Sequence, residues 1–129
     1  MRHVHDEFEG FGTSAMKSSI ENRILKGRPY GGTGFLWNKR FAKCVKPRVD
    51  IKHERVTVLE INDTRFKLLC INVYLPYLDT SRLNEQLAIY NDTIGFIEQI
   101  MTSHPGFKFI LLGDFNCNLY NDNHPFTPL

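Results

Sequence analysis

The tetrapeptide Gly-Asp-Phe-Asn at residues 113–116 places two polar side chains directly after a run of large apolar residues, FKFILL. The carboxylate of Asp114 could hold a divalent metal ion or orient a water molecule, and the amide of Asn116 could donate a hydrogen bond to a phosphoryl oxygen. Tyr74 ends an earlier apolar run, in NVYLP, and its phenol could donate in the same way. Asp and Asn also shape turns by bonding to nearby backbone, so the residues alone leave a site and a simple turn as alternatives.

A strand–helix–strand unit would bring these residues together. RFKLLCINVYLP (residues 65–76) is typical of an apolar strand, and FKFILLG (residues 107–113) of a strand buried on both faces. Between them, apolar residues at spacings of three and four predict an amphipathic helix through Leu83, Leu87, Tyr90, Ile94, Ile97 and Met101. Because a right-handed crossover makes the two strands parallel neighbours, NVYLP and GDFN should emerge at one sheet edge, where ligands of open α/β sheets bind.

The predicted helix also has signals at both ends. Asp79, Thr80 or Ser81 could act as its N-cap, because short polar side chains bond the first free backbone N–H groups. The tripeptide His104-Pro105-Gly106 would end it, since proline and glycine are poor continuations of a helix. The helix is therefore expected to begin just after one of these three cap candidates and to end at His104-Pro105-Gly106.

Local patterns predict the remaining elements. RVTVLEI (residues 55–61) alternates as a strand, and a turn at Asn62-Asp63 would join it to the next strand as a β-hairpin. FLW (residues 35–37) begins another strand. Residues 1 to about 34 lack a sustained period and hold six of the nine glycines, which indicates loops, with a short helix at residues 18–25.

Length and composition limit the possibilities further. A chain of 129 residues, 42% of them hydrophobic, is enough for a single domain with one modest core. It has no apolar stretch of the roughly 20 residues that a bilayer requires and no apolar signal segment, so a soluble, non-secreted protein without a membrane partner is expected. Cys44, Cys70 and Cys117 are odd in number and widely spaced, which predicts reduced thiols rather than a disulfide framework or a zinc site.

The positive charge is concentrated in residues 39–55, which carry seven cations against two anions although the net charge is only +2. Such a stretch suits a polyanion such as nucleic acid. A solvated strand face would explain the same charges equally well.

Several motifs together resemble the endonuclease/exonuclease/phosphatase superfamily. GDFN after an apolar strand and NVYLP before it are the first two, and GRPYGGTGFLW (residues 27–37) with NHPFTPL (residues 123–129) resembles the endonuclease domain of LINE-type non-LTR retrotransposons in particular. The resemblance implies an α/β (α+β) fold, a four-layered α/β sandwich of two packed mixed β-sheets with outer helices. It implies metal-dependent phosphodiester hydrolysis, usually with Mg²⁺, on DNA.

The resemblance also implies roles for individual residues. Asp114 would orient or deprotonate the attacking water, while Asn116 and Tyr74 would hydrogen-bond the scissile phosphate. Arg28, in GRPYGG, would meet a phosphate, unless it is a solvated arginine in a glycine turn. Asn72 would serve the structure.

Two motifs of the superfamily are absent from this sequence. The first is a Gln-Glu whose glutamate is the principal metal ligand, and the second is a Ser-Asp-His whose last two residues act on water and phosphate. Glu7, Glu9 and Glu21 do not follow apolar strands and are not assigned the ligand role, and Asp122 and His124 receive no catalytic role because they belong to the loop after GDFN. The metal ligands are thus unknown, and Mg²⁺ binding is expected to be weak.

The chain is therefore expected to be a single partial domain, residues 1–129, lacking the N-terminal strands and the C-terminal portion of the family's domain. Loss of edge strands exposes sheet faces and backbone, so it should be marginally stable or sticky. Impaired DNA hydrolysis is the leading expectation. The alternatives are a non-catalytic nucleic-acid-binding remnant and, third, a small-molecule phosphatase of the same superfamily. The retrotransposon resemblance adds a reverse transcriptase in the parent polyprotein as a partner, and an intracellular, nuclear location.

Overall fold

The computed structural model describes residues 2–13, 32–78 and 80–116, which form two β-sheets and one long helix. The strands are β1 (Arg2–His5), β2 (Phe8–Thr13), β3 (Thr33–Asn38), β4 (Val45–Pro47), β5 (Val56–Asp63), β6 (Phe66–Tyr74) and β7 (Lys108–Asp114). The helix α1 (Leu83–Ser103) connects β6 to β7, and a single 3₁₀ turn (Lys39–Phe41) follows β3. The mixed α/β character expected from the sequence is confirmed. The helix predicted at residues 18–25 and the cap candidate Asp79 lie outside the described residues.

Strand order confirms the predicted strand–helix–strand unit. One sheet is antiparallel in the order β1-β2-β3, and the other runs β4-β5-β6-β7. In the second sheet β6 and β7 are parallel, and their register pairs Leu68 with Lys108 at one end and Tyr74 with Asp114 at the other. The ends of NVYLP and GDFN are therefore neighbours on one edge.

The two central strands of the four-stranded sheet, β5 and β6, are covered on both faces. Val58, Ile71 and Val73 are fully buried on the face that packs against Ile97 and Ile100 of α1. On the other face, Leu59 and Cys70 pack against Trp37 of β3. Burying each large aliphatic side chain contributes about 1.5–3 kcal/mol, so both contacts stabilise the arrangement of helix, sheet and second sheet in three layers. None of the helices among the described residues has the length and apolar character that a membrane crossing needs.

The N-terminal region contains strands where loops were expected. β1 and β2 form a hairpin, and β2 pairs with β3 along six residues, with Gly12 directly opposite Gly34. The two backbones lie so close here that a Cβ on Gly12 would be 2.9 Å from the carbonyl oxygen of Thr33. The glycines break the apolar period that identifies a strand, but they permit this close approach. The loop prediction was therefore wrong for residues 2–13, and residues 14–31 lie outside the described part of the chain.

The hairpin of β5 and β6 was predicted correctly, but its turn was not. Asp63 pairs with Phe66, so the turn is Thr64-Arg65 rather than Asn62-Asp63. The carboxylate of Asp63 accepts hydrogen bonds from the Arg65 backbone N–H at 3.2 Å and from the Thr64 hydroxyl at 3.1 Å. These local bonds place the turn two residues further along the chain than predicted. The reason is that an Asp side chain often accepts a hydrogen bond from the backbone N–H of the second residue after it.

The helix ends where expected but starts with a different cap. Its N-cap is Arg82, whose side chain makes no capping hydrogen bond, so the expectation of Thr80 or Ser81 was wrong. The buried face includes Ile97 and Ile100, whereas Met101 is 42% exposed. The apolar face is therefore rotated by about one residue at the C-terminal end from the predicted one.

Strand β7 is exposed rather than buried on both faces. It lies at the edge of its sheet, and Ile110 and Leu111 keep 45% and 44% of their surface accessible. A continuous apolar run indicates that both faces can be covered, but the coverage depends on what packs there. Among the described residues nothing pairs with the outer side of β7.

Candidate phosphate-binding cluster

Tyr74 and Asp114 lie side by side at the carboxyl edge of the four-stranded sheet. They are the last residues of β6 and β7, and the parallel register pairs them directly. One residue further, the backbone N–H of Leu75 donates to the carbonyl of Asp114 at 2.9 Å, which continues the contact beyond both strands. The predicted neighbours are thus together, and with Asn116 we call them the carboxyl-edge cluster.

Gly113 makes the close approach of β7 to β6 possible. Its φ of +131° is rarely adopted by other residues, and a Cβ at this position would lie 2.0 Å from the carbonyl oxygen of Val73. The residue before Asp114 therefore has to be glycine, because any side chain would force the two strands apart. The Gly in GDFN is part of what positions the carboxylate.

Asn116 connects the two chain segments that leave the sheet. Its backbone N–H donates to Oδ1 of Asp114 at 3.0 Å, and its Nδ2 donates to the carbonyl of Leu75 at 2.6 Å. Its φ is +46°, a left-handed conformation that asparagine tolerates better than most residues. GDFN thus forms a side-chain-stabilised turn, which was one of the two alternatives, and the same bonds hold Asp114 beside Tyr74.

Arg55, the last residue of the basic stretch, also belongs to this region, although the sequence did not predict that it would lie beside Tyr74. Its guanidinium carbon lies 5.1 Å from the centre of the Tyr74 ring, and its Nη1 donates to the Tyr74 carbonyl at 3.2 Å. The Tyr74 backbone N–H donates in turn to the carbonyl of Arg55 at 2.9 Å. A cation therefore stands next to the cluster, where it would attract an anionic ligand.

Hairpin register was the signal that could have identified Arg55. Val56 is opposite Val73, which puts Arg55 beside Tyr74. A turn at Asn62-Asp63 would have put Val56 opposite Leu69 instead. Because the turn was misplaced, the predicted register did not bring Arg55 next to Tyr74. Among the described residues, Arg55 is the only cation that contacts this tyrosine.

His53 anchors the segment that carries Arg55. Its Nδ1 accepts the backbone N–H of Arg55 at 3.0 Å, so Nε2 is the ring nitrogen that donates to Asp92 of α1, also at 3.0 Å. The ring also lies against Phe96, with centroids 4.7 Å apart. Both ring nitrogens are thus used in holding the segment before β5 to the helix.

Asn72 connects the cluster to the second sheet. Its Nδ2 donates to the carbonyl of Gly34 at 2.8 Å, so it joins β6 to β3 beneath Tyr74. This is the structural role that the resemblance implies for it. Arg28, the other predicted phosphate contact, lies outside the described residues, as do Cys117, Asp122 and His124.

The basic stretch is divided between three places. Lys39, Arg40 and Lys43, which we call the basic pole, precede Cys44, whose carbonyl accepts from Asn62 near the far end of β5. Since β5 begins beside Tyr74, strand rise puts the basic pole roughly 15–20 Å from the cluster. Arg48 is instead engaged by Asp50 and Glu60. Only Arg55 of this stretch contacts the cluster, so the two candidate binding surfaces are separate.

The described residues do not fit a magnesium site by themselves. No group of three or more His, Cys, Asp or Glu side chains comes together in them. Magnesium prefers an octahedral set of oxygen ligands, and at this edge one carboxylate, Asp114, is already bonded to the Asn116 N–H. The cluster can orient a water molecule and donate hydrogen bonds to a phosphate.

No protein-family model matches the sequence, and no curated protein matches it either.

Proposed function

We propose that this chain is part of an endonuclease/exonuclease/phosphatase domain of the LINE retrotransposon type, acting on DNA phosphodiesters, with impaired hydrolysis. The observation that carries the proposal is the register pairing of Tyr74 with Asp114, with Asn116 bonded to both strand ends. Residues that bear a carboxylate, a phenol and an amide are thus neighbours at the carboxyl edge of parallel strands, where α/β proteins bind their ligands.

Each member of the cluster has a role that its contacts permit. Asp114 uses one carboxylate oxygen for the Asn116 N–H, and its second oxygen can accept a hydrogen bond from an attacking water. Asn116 gives one amide hydrogen to Leu75, and the second can reach a phosphate oxygen. Tyr74 donates its hydroxyl to the same phosphate, with Arg55 supplying positive charge nearby. Such preorganised donors stabilise charge that develops on a phosphate.

The layers support the same proposal. Two face-to-face sheets with a helix outside one of them match three layers of the four-layered sandwich that the superfamily has. No strand among the described residues covers the outer side of β7, which is compatible with a partial domain. A reverse transcriptase encoded beside the domain would then be its natural partner.

Hydrolysis is expected to be weak because the described residues do not bring a set of metal ligands together. The superfamily reaction uses Mg²⁺, which supplies charge stabilisation to the departing oxygen when it is bound. The described residues offer one carboxylate at this edge and no ligand group, so we derive no step through the metal. Binding of DNA is the part of the function that the cluster supports directly.

A second candidate is nucleic-acid binding through the basic pole, without cleavage. Arg40 and Lys43 are exposed, and the pole lies at the end of the sheet opposite the cluster. Phosphate contacts by lysine and arginine give sequence-independent, salt-dependent binding. Because the two surfaces are far apart, substitutions can remove the phosphate-binding groups of one surface without changing the other.

Fluorescence anisotropy with a short DNA duplex at low salt distinguishes the two candidates. Tyr74→Phe removes one hydroxyl, and Asn116→Asp removes the amide donor while keeping a residue that tolerates a left-handed conformation. Tyr74→Phe should weaken binding roughly three- to tenfold, the usual effect of one lost hydrogen bond. Asn116→Asp should weaken binding more, because it also loses the bond to the Leu75 carbonyl and adds a negative charge that repels phosphate. The matched control is the double variant Arg40→Glu, Lys43→Glu, which should have the smaller effect.

The opposite result would favour the basic pole. Loss of binding in the charge-reversal variant, with unchanged binding by Tyr74→Phe and Asn116→Asp, would contradict the proposal. Plasmid nicking in Mg²⁺ completes the test, with Asp114→Asn as the site variant and the exposed Asp6→Asn as its control. We expect nicking by the parent chain no greater than by Asp114→Asn. If the parent chain and Asp6→Asn nick the plasmid but Asp114→Asn does not, the cluster is catalytically active, and the expectation of impaired hydrolysis is contradicted.

A further inference from the structure

The two edges of the four-stranded sheet differ in how well they resist pairing with another strand. The β4 edge has three residues, Val45–Pro47, and contains a lysine and a proline, which are common protections of natural sheet edges. The β7 edge has seven residues, KFILLGD, with no proline and no charge between its ends. Ile110 and Leu111 project from opposite faces and are nearly half exposed. Only the β7 edge is suited to accept a partner strand.

The β7 sequence is complementary to itself when it is reversed. An antiparallel pair centred on Leu111 puts Lys108 opposite Asp114 of a second copy, and Ile110 opposite Leu112. It also puts the Phe109 ring opposite Gly113, where an aromatic ring can cover the glycine. Each charged residue thus meets its opposite, and each aliphatic residue meets another.

Side-chain directions agree with this register. Residues 108, 110, 112 and 114 pair with Leu68, Cys70, Asn72 and Tyr74, so they share the face toward the second sheet. In the reversed pair, partners always share a face, so both helices would lie on one side of a continuous sheet. Moving the register by two residues would put Asp114 opposite Ile110 or Lys108 opposite Leu112, and a shift by one would exchange the two faces.

We propose that the β7 edge is a dimerisation surface whose occupant is β7 of a second copy of this chain, joined in antiparallel register about Leu111. The contact is isologous, so the Lys108–Asp114 pair occurs twice, and eight strands form one sheet. It places Lys108 of the second copy beside the carboxyl-edge cluster. The proposal rests on the edge alone and holds whether or not the cluster binds phosphate.

The dimer should be weak and dependent on concentration. A single seven-residue ladder buries less surface than a standard protein–protein interface, so dissociation constants on the order of micromolar or weaker are expected. Sedimentation equilibrium of the full chain, over roughly a hundredfold range of concentration, should show a change from monomer to dimer mass.

Charge exchange tests the register. Lys108→Asp puts a carboxylate opposite Asp114, and Asp114→Lys puts an ammonium group opposite Lys108. Because each change acts at two symmetric sites, either should weaken association on the order of tenfold. The double variant exchanges the two charges and should restore association toward the parent's, a recovery that damage to the fold cannot produce.

A matched apolar pair of variants tests the surface. Ile110→Lys charges the edge and should abolish association, whereas Ile89→Lys makes the same change at a similarly exposed position on α1 and should not. Amide hydrogen exchange in β7 should slow only at concentrations that favour the dimer. A parent chain that stays monomeric, a double variant without recovery, or β7 protection that is independent of concentration would each overturn the proposal.

Discussion

Two residues with unusual backbone conformations hold Asp114 in place. Gly113 precedes it with φ +131°, and Asn116 follows two residues later with φ +46°. Gly113 lets β7 approach Val73 closely, and Asn116 returns a hydrogen bond to the Asp114 carboxylate. The position of the carboxylate therefore depends on its neighbours' backbone as much as on its own strand.

Substituting Gly113 with alanine should destabilise the fold by about 2–4 kcal/mol, because the new Cβ would overlap the Val73 carbonyl and the φ would be strained. Gly95→Ala is the matched control, since a Cβ there meets nothing within 4 Å and alanine favours the helix by about 0.5–1 kcal/mol. Urea unfolding measures both variants. A Gly113→Ala chain as stable as the parent would show that the strands can separate without cost.

At the scale of elements, Arg48 fixes the corner between β4 and β5. Its guanidinium donates two hydrogen bonds to Asp50, each at 2.9 Å, and a third to Glu60 at 3.0 Å. The Arg48 backbone N–H also donates to the carbonyl of Val58 at 3.1 Å. The hydrogen bond from Arg48 lowers the pKa of Asp50 from its usual 3.8 to about 2, and the same bond raises the pKa of Arg48.

Asp50 should make stability depend on acid pH. Its folded pKa is below its unfolded pKa, so its contribution is present above about pH 4 and is lost as the pH falls toward 2. The Asp50 side chain is 60% exposed, so solvent screening limits the contribution to about 0.5 kcal/mol.

The measurement is the free energy of unfolding of the parent minus that of Asp50→Asn. This difference should be positive at pH 6, approach zero near pH 2, and shrink in high salt because exposed charges are screened. A difference that is the same at both pH values would mean that the Arg48–Asp50 pair does not stabilise the corner.

At the scale of the whole molecule, polar contacts join the two sheets near the cluster. Asn72 donates to the Gly34 carbonyl, and the Thr57 hydroxyl lies within 3.2 Å of the Thr33 carbonyl. These side chains point to the same face as Leu59 and Cys70, so they continue the apolar contact with Trp37 toward the carboxyl edge. The second sheet is therefore bonded to β5 and β6 next to the carboxyl-edge cluster and helps to hold these strands in place.

Removing the Asn72 contact should loosen the second sheet. Asn72→Ala leaves the Gly34 carbonyl without this donor and should cost about 1 kcal/mol. Amide hydrogen exchange should quicken in β2 and β3 more than in α1, whose contacts lie on the other face. The exposed Asn84→Ala, on α1, is the control and should leave exchange in the second sheet unchanged. Equal changes in β3 and α1 would mean that the sheets open together.

The sequence alone determined the central strand–helix–strand unit and the meeting of Tyr74 with Asp114. Both follow from local periodicity and from the fixed handedness of a crossover, which requires no knowledge of distant partners. The hairpin was predicted for the same reason. Its turn was misplaced because several polar residues compete there, and a two-residue error changes every partner along the ladder.

Only the tertiary structure decided what lies around that unit. β1 and β2 are strands because β2 pairs with β1 on one side and with β3 on the other, although the glycines of β2 give no local period. Arg55 meets Tyr74 through register, the basic pole lies at the far end of the sheet, and β7 stays exposed because no described strand covers it. Each of these features depends on contacts between residues that are distant in the chain. Such contacts do not produce a periodic pattern of apolar residues, so the sequence alone does not predict them.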